Sequence, residues 1–451
     1  MKSVNLIIAG CLLLSATFFS SCGEKDETVA PIVVQDNASL TQTVFADDTQ
    51  GAGSVSFVTA GAWSSSIAET ATTKAATVDW ISISPNSGDR AGSYTVTVIL
   101  TVNTTGADRT AVITIACEGT EVKIAVTQKK TKADGSELLS VTELIALGEQ
   151  AYISAHGAYM QIDSQYSTQT ARQGITASSG FLLDYWQKSY DAIGRYNSLL
   201  ENLDRHQFPS DEEKSLVEGT ALARRSQLYF YLNTLYTGVP LLTNTETSLN
   251  EIPRNSVSEV NDFVRAHLDE ATLLLPQSVG APPKYLTITR SFDAHFVNAL
   301  QALQANDVSR ARDRLNGLRN DMQSGNVGFY DSNQDGIFDG IDRPYNIMTA
   351  QIYLLSAELS LNAGDTGEAR ELINTLYQIQ ELNPPVSQGA TTEEVRTAIR
   401  TAFANWDTGI KFLNTMRWGE TAQWGHYASL PIPVSVMAAN PNMMQNPGWY
   451  E

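Results

Sequence analysis

The residues best spaced for chemistry lie between Asp331 and Asp342. Asp331, Asn333, Asp335, Asp339 and Asp342 take positions 1, 3, 5, 9 and 12 of a twelve-residue run, with Gly336 at position 6 and Ile337 at position 7. Hard divalent cations take oxygen ligands, and a calcium loop supplies them in this order, position 7 through its backbone carbonyl. Gly336 permits the sharp turn that such a loop needs. The same Asp, Asn and Gly content would also suit a plain polar turn. Five oxygen-bearing side chains at the template positions favour calcium. Asp342 is shorter than the usual glutamate at position 12, and Gly340 and Pro344 argue against an exiting helix. A structural calcium loop is expected here, not a sensor.

Other catalytic patterns are missing from the sequence. His156, His206, His267, His295 and His426 are dispersed, with no His-Glu-x-x-His spacing for zinc. There is no Gly-x-Ser-x-Gly elbow and no phosphate-cradling glycine loop. The 49 acidic residues allow many chance carboxylate pairs, so a hydrolytic pair has no signature of its own. A formal net charge of −19 works against binding nucleic acid through its phosphates. The expectation is a protein that binds without catalysing. For a small ligand with an apolar face and a polar edge, the loop candidates are Tyr166 with Gln169 and Arg172, Tyr330 with Tyr345, and Trp424 with Tyr427. Each group sets an aromatic face for stacking beside, or near, a polar partner for hydroxyls.

The leader carries a modification signal. Lys2 precedes an apolar run, Leu6 to Phe19, then Ser20-Ser21-Cys22-Gly23. Such a run is a secretory signal peptide (1–21), too short for a comfortable membrane span. A cysteine directly after small residues resembles the lipobox of bacterial lipoproteins, although Phe19 stands where leucine is usual. Cys22 is then the acylated N-terminus, held to the membrane by its acyl chains. Cys11 falls in the leader and Cys117 on an expected strand, so the mature chain has no cysteine pair for a disulfide framework.

Two kinds of element must position these residues. From 39 to 130 the apolar period is two. Ser54–Val58, Tyr94–Ile99, Thr110–Ile115 and Val122–Thr127 alternate as half-buried strands, with turns at Ser84–Gly88 and Asn103–Gly106. A small all-β sandwich of immunoglobulin type is expected, after a tether at 22–38. Trp63 and Trp80 are assigned to its core and Cys117 is read as a buried thiol. A polar linker, 131–137, precedes a helical domain at 138–451. Its helices are expected at about 140–161, 184–204, 211–236, 256–275, 290–305, 307–322, 346–362, 366–381 and 392–415. The fullest is 211–236, whose Leu222, Tyr229, Leu232 and Tyr236 make one stripe and Leu228, Tyr231 and Leu235 a second, with Gly238 as its stop. Ile347–Asn362 and Thr366–Gln380 read as a helix pair with an Asp365-x-x-Glu368 capping box. Such pairs are the unit of tetratricopeptide-like stacks, so the fold is expected to be mainly α.

The helical stretches carry a family resemblance. Ala221–Leu242 resembles the signature helix of the SusD/RagB-like family of outer-membrane glycan-binding lipoproteins. Tyr185–Asn197, Leu268–Pro276, Ile352–Glu358 with Gly364-Asp365, and Leu430-Pro-Ile-Pro433 through Gln445–Tyr450 resemble further motifs of that family, in order. Its acidic helix before Arg-Trp is degenerate, surviving as Phe412–Trp418. In the β-rich part, Trp63, Trp80–Pro85, Gly88, Asn103, Arg109 and Gln128 resemble the BACON domain, here taken as a spacer. The resemblance implies a cell-surface, lipid-anchored outer-membrane protein. It would bind a glycan or oligosaccharide and deliver it to a TonB-dependent (SusC-like) transporter. The acidic Glu24, Asp26 and Glu27 resemble the surface-export signal of such lipoproteins. Two other functions stay open: a helical-repeat scaffold for surface proteins or peptides, and a secreted glycoside hydrolase.

Overall fold

The structure, a computed structural model, describes residues 30–69, 78–135, 138–166, 172–206, 208, 210–275, 291–324, 347–380, 382–407 and 409–449. The chain divides into two compact units, one before Leu138 and one from Leu138 onward. Cys22, Gln169, Tyr330, Tyr345 and the whole Asp331–Asp342 run lie outside the described residues.

The first unit is a two-sheet sandwich. Its strands are β1 (Ile32–Val34), β2 (Thr41–Val44), β3 (Val55–Thr59), β4 (Trp63–Glu69), β5 (Ile81–Ser84), β6 (Ser87–Gly88), β7 (Gly92–Leu100), β8 (Arg109–Cys117) and β9 (Thr120–Gln128). One sheet runs β1-β3-β7-β5 and the other β2-β9-β8-β4-β6, with β2 parallel to β9 and the remaining pairs antiparallel. In β8, Ala111, Ile113, Ile115 and Cys117 alternate inward, which is the period-two pattern of a half-buried strand. Phe57 of one sheet meets Trp63 of the other edge to face, 5.1 Å between centroids. Trp63 and Trp80 are both buried, so neither offers a face to a sugar. The stretch expected to be a tether contains β1. Ile32 points into the core, and Ile32–Val34 pair with Phe57–Thr59, because three β-branched residues suit a pleated sheet better than a free chain. One polar knot closes the end of the sandwich. Gln128 Nε2 shares its two N–H groups among the Phe45, Ala46, Asp48 and Thr101 carbonyls, while its Oε1 accepts from Arg109. Asn103 Nδ2 donates to Ala107 and Lys129.

The second unit is helical. It contains α1 (Val141–Tyr166), α2 (Gly180–Asn202), α3 (Asp211–Tyr236), α4 (Val257–Leu274), α5 (Ser291–Gln304), α6 (Val308–Ser324), α7 (Ile347–Asn362), α8 (Thr366–Ile379), α9 (Thr392–Trp406), α10 (Lys411–Arg417) and α11 (Val434–Ala439). Neighbours in sequence pack as pairs, α1 on α2, α3 on α4, α5 on α6 and α7 on α8, and the pairs stack into a single core. The helix expected over 392–415 is two helices, because the chain turns at Gly409 with φ of 82°. The Asp365 box is half formed. Asp365 accepts from the Glu368 amide at 2.8 Å, but the Glu368 carboxylate takes the Ser360 hydroxyl instead of reaching back. Full boxes start α4 (Ser256, Glu259) and α9 (Thr391, Glu394).

Helix α3 is the axis of this unit. Ser210 caps its first turn, where Asp211, Glu212 and Glu213 face the positive end of the helix dipole. From Leu228 to Tyr236 every side chain is buried. The left-handed residue at its end is Thr237, with φ of 54°, and Gly238 follows at 108°. A β-branched residue there is costly, and Arg254 is bonded across the strained turn. Its guanidinium donates to the Tyr236, Thr237 and Gly238 carbonyls and to Asn446 Oδ1. Asn446 in turn donates to the Tyr236 and Leu430 carbonyls. The two terminal stretches, Leu430–Pro433 and Gln445–Trp449, are thereby folded onto the end of α3.

Candidate functional site

Asp163 starts the site. It lies on the last turns of α1, 2 % exposed, and accepts the Phe412 amide at 2.8 Å and the Lys411 amide at 3.1 Å. Those bonds fix the turn into α10, reinforced by the Tyr159 hydroxyl donating to the Gly409 carbonyl at 2.8 Å. Burial pushes the Asp163 carboxyl up to about 6, against the pull of its backbone donors. Phe412, fully buried, then packs 4.9 Å from Tyr166 and 6.1 Å from Trp424, centroid to centroid.

Above this floor the chain opens. A cavity of about 380 Å³ is lined by Arg172, Gln173, Gln423, Trp424 and Tyr427. That volume lies within the range of about 300–1,000 Å³ usual for small-ligand sites. The Arg172 guanidinium carbon sits 3.3 Å over the Trp424 ring, and its Nη1 donates to the Tyr166 carbonyl at 3.1 Å. Burial lowers the Arg172 pKa. Tyr166 meets Trp424 edge to face at 6.0 Å, and its hydroxyl donates to the Tyr427 carbonyl. Tyr427 leans on Trp449 at 5.2 Å and 88°. Trp449 is itself held by donating to the His426 and Ser429 carbonyls.

Glycines make this turn possible. Within the 3-10 segment Glu420–Ala428, Gly425 takes φ of 60° and ψ of −133°, which reverses the chain between Trp424 and Tyr427. At Gly448 a Cβ would stand 2.4 Å from the His426 Cβ, so only glycine lets the two segments meet.

Of the candidates read from sequence, Arg172, Trp424 and Tyr427 share the wall of one cavity, although about 250 residues separate the two segments. Tyr166 is different. It ends a helix instead of lying in a loop, and it is 1 % exposed, so its ring faces no ligand. Its burial follows from packing between Phe412 and Trp424, and its part is to hold the Tyr427 backbone. Gln173 and Gln423, both exposed, were missed by the sequence reading; each stands beside a candidate that was named. Trp186 is buried and packs edge to face on Tyr236. Trp418 donates to Glu358 at 2.7 Å and is covered by Arg400 at 4.1 Å. Among the described residues no group of three or more His, Cys, Asp or Glu is placed to hold a metal ion. Among them, too, no helix is long and apolar enough to cross a membrane.

The wall offers flat aromatic surface, two amides that both donate and accept, and a phenol. Such a set can stack on an apolar ring face and bond neighbouring hydroxyls.

Comparison with known proteins agrees with this architecture. Residues 128–291 match the SusD-like family model described as "Starch-binding associating with outer membrane". Residues 63–129 match the BACON model, described as an N-terminal candidate binding domain. Among solved structures, a SusD superfamily protein from Bacteroides vulgatus ATCC 8482 is similar over 69% of this chain and 99% of its own, at 15% identity and a TM-score of 0.53. A SusD-like protein from Bacteroides fragilis NCTC 9343 covers 68% and 96%, at 17% identity and 0.52. One from Parabacteroides distasonis ATCC 8503 covers 69% and 100%, at 14% identity and 0.52. At these identities the likeness establishes the fold. No curated protein matches the chain.

Proposed function

We propose that this chain, SusD-like in its helical unit and BACON-like in its β-unit, binds an oligosaccharide in the cavity between Arg172 and Tyr427. The observation that carries the reading is the meeting of Arg172 and Gln173 with Gln423, Trp424 and Tyr427 around one concave volume. Tyr427 and the rim of Trp424 stack on the C–H face of a sugar ring, and Gln173 and Gln423 bond its hydroxyls. The ligand leaves unchanged.

The cellular role follows from the leader and the family. Cys22, acylated, anchors the protein at the outer face of the outer membrane, and the glycan passes to a TonB-dependent transporter. The description of the matching family, starch-binding and associated with the outer membrane, supports both the ligand class and the place. The test is a glycan array probed with the unlipidated ectodomain and with Trp424→Ala and Tyr427→Ala. Retention of a set of glycans by wild type, reduced at least about tenfold in both variants, is the expected result. Equal retention by all three would remove the cavity from the account.

A further inference from the structure

The cavity wall is built on a single buried carboxylate. Asp163 accepts the Phe412 and Lys411 amides, and the Gly409 amide adds to them. Phe412 in turn supports both Trp424 and Tyr166, and Tyr166 holds the Tyr427 backbone. One chain of contacts therefore runs from Asp163 to the two aromatic residues of the wall. We propose that Asp163 is the positioning residue of this cavity, and that protonating it loosens the Trp424 wall and weakens ligand binding. The proposal deepens the glycan reading and rests on it for its binding arm.

The chemistry is that of an acceptor. An ionised carboxylate has lone pairs for every one of these amides, and bonds to an ion are the stronger kind. A carboxylic acid loses acceptor capacity on one oxygen and brings a proton that needs a partner. The Gly409 carbonyl of the same turn already accepts from Tyr159. The surroundings set where this happens. Tyr159 on the same helix and Tyr231 on α3 are buried phenols whose pKa values burial raises, so they stay neutral. Asp407, in the turn after α9, disfavours a second negative charge, and the Lys411 cation acts on Asp407. Burial dominates, and Asp163 titrates at about 6, within reach of a mildly acidic surface.

The experiment uses the full ectodomain labelled with 5-fluorotryptophan, in a His426→Gln background so that the neighbouring imidazole contributes nothing. Fluorine spectra are recorded from pH 4.5 to 8, and the Trp424 signal is assigned by its loss in Trp424→Phe. The Trp424 resonance should titrate with a midpoint near 6 and stop titrating in Asp163→Asn. In parallel, affinity for an oligosaccharide retained on the array should fall at least about threefold between pH 7.5 and pH 5 in the same background, and lose that dependence in Asp163→Asn. A Trp424 resonance unmoved between pH 5 and 7.5 overturns the proposal whether or not Asp163→Asn folds, and leaves the glycan reading standing. A titrating Trp424 with no retained glycan overturns the glycan reading and leaves Asp163 as the positioning group of the wall.

Discussion

Ionisable side chains in the helical unit are held by environments of opposite sign. His156 lies on α1 among Tyr152, Tyr159 and Tyr231, at 5.7, 6.1 and 5.8 Å between centroids. Burial, then the charge of Arg224, lowers its pKa from 6.5 to about 4. The folded protein keeps this imidazole neutral, while the unfolded chain takes up the proton near 6.5. The stabilisation is complete above about 6.5 and is lost as pH falls towards 4. His295, beside Arg314, is lowered to about 4 as well and acts with the same sign. Asp163 runs the other way. Its folded value is raised from 3.8 to about 6, so its contribution is present below 3.8 and lost as pH rises through 6. Urea unfolding of wild type should therefore show stability decreasing on acidification between pH 6.5 and 4.5, the histidines outweighing Asp163. In His156→Phe that slope should fall by more than half, because Asp163 then offsets most of what His295 contributes. A slope as steep in the variant as in wild type would count against a neutral, buried His156.

Helices of this unit are joined by a few buried polar contacts that the apolar pattern does not announce. Glu358 of α7 pairs with Arg417 of α10 at 2.7 Å, both side chains nearly buried, and accepts the Trp418 indole at 2.7 Å. Two stretches that carry family-like motifs in the sequence, Ile352–Glu358 and Phe412–Trp418, thus meet as one contact. Removing one charge of a buried pair strands the other, so Glu358→Gln should cost about 3 kcal/mol, read as a lower urea midpoint with unchanged m. A midpoint within error of wild type would mean that the pair is solvated. Asp269 of α4, 44 % exposed, joins helices at the surface instead, accepting from Asn298 of α5 and from Arg310 and Arg314 of α6. The connection between α6 and α7 includes Asp331–Asp342, for which the proposal remains structural calcium. Chelator should then lower the melting temperature of wild type by several degrees and leave Asp331→Ala/Asp335→Ala unmoved, since only a native loop binds the ion. Equal melting of wild type with calcium and with chelator would reject the site.

At the scale of the molecule, periodicity carried most of the architecture. The alternation in Arg109–Cys117 and the double stripe on Asp211–Tyr236 are long enough to identify element and buried face together. Short elements were harder. Ile32–Val34 has three residues, too few to show a period, and is a strand only because Val55–Thr59 supplies a partner. The turn at Gly409 split a helix that composition alone would continue. The candidate site was legible in part. Arg172, Trp424 and Tyr427 were named from residue type, but their convergence depends on Gly425, Gly448 and the Asp163 anchor, none of which signals a distant contact. Gln173 and Gln423 had no pattern at all, since an exposed glutamine looks alike in a cavity and on a helix face. The most direct test of the account is where a sugar sits. Crystals soaked in an oligosaccharide retained on the array should show one ring stacked on Tyr427 at the rim of Trp424, with hydroxyls bonded to Gln173 and Gln423. Well-ordered sugar elsewhere, with this cavity holding only solvent, would contradict it.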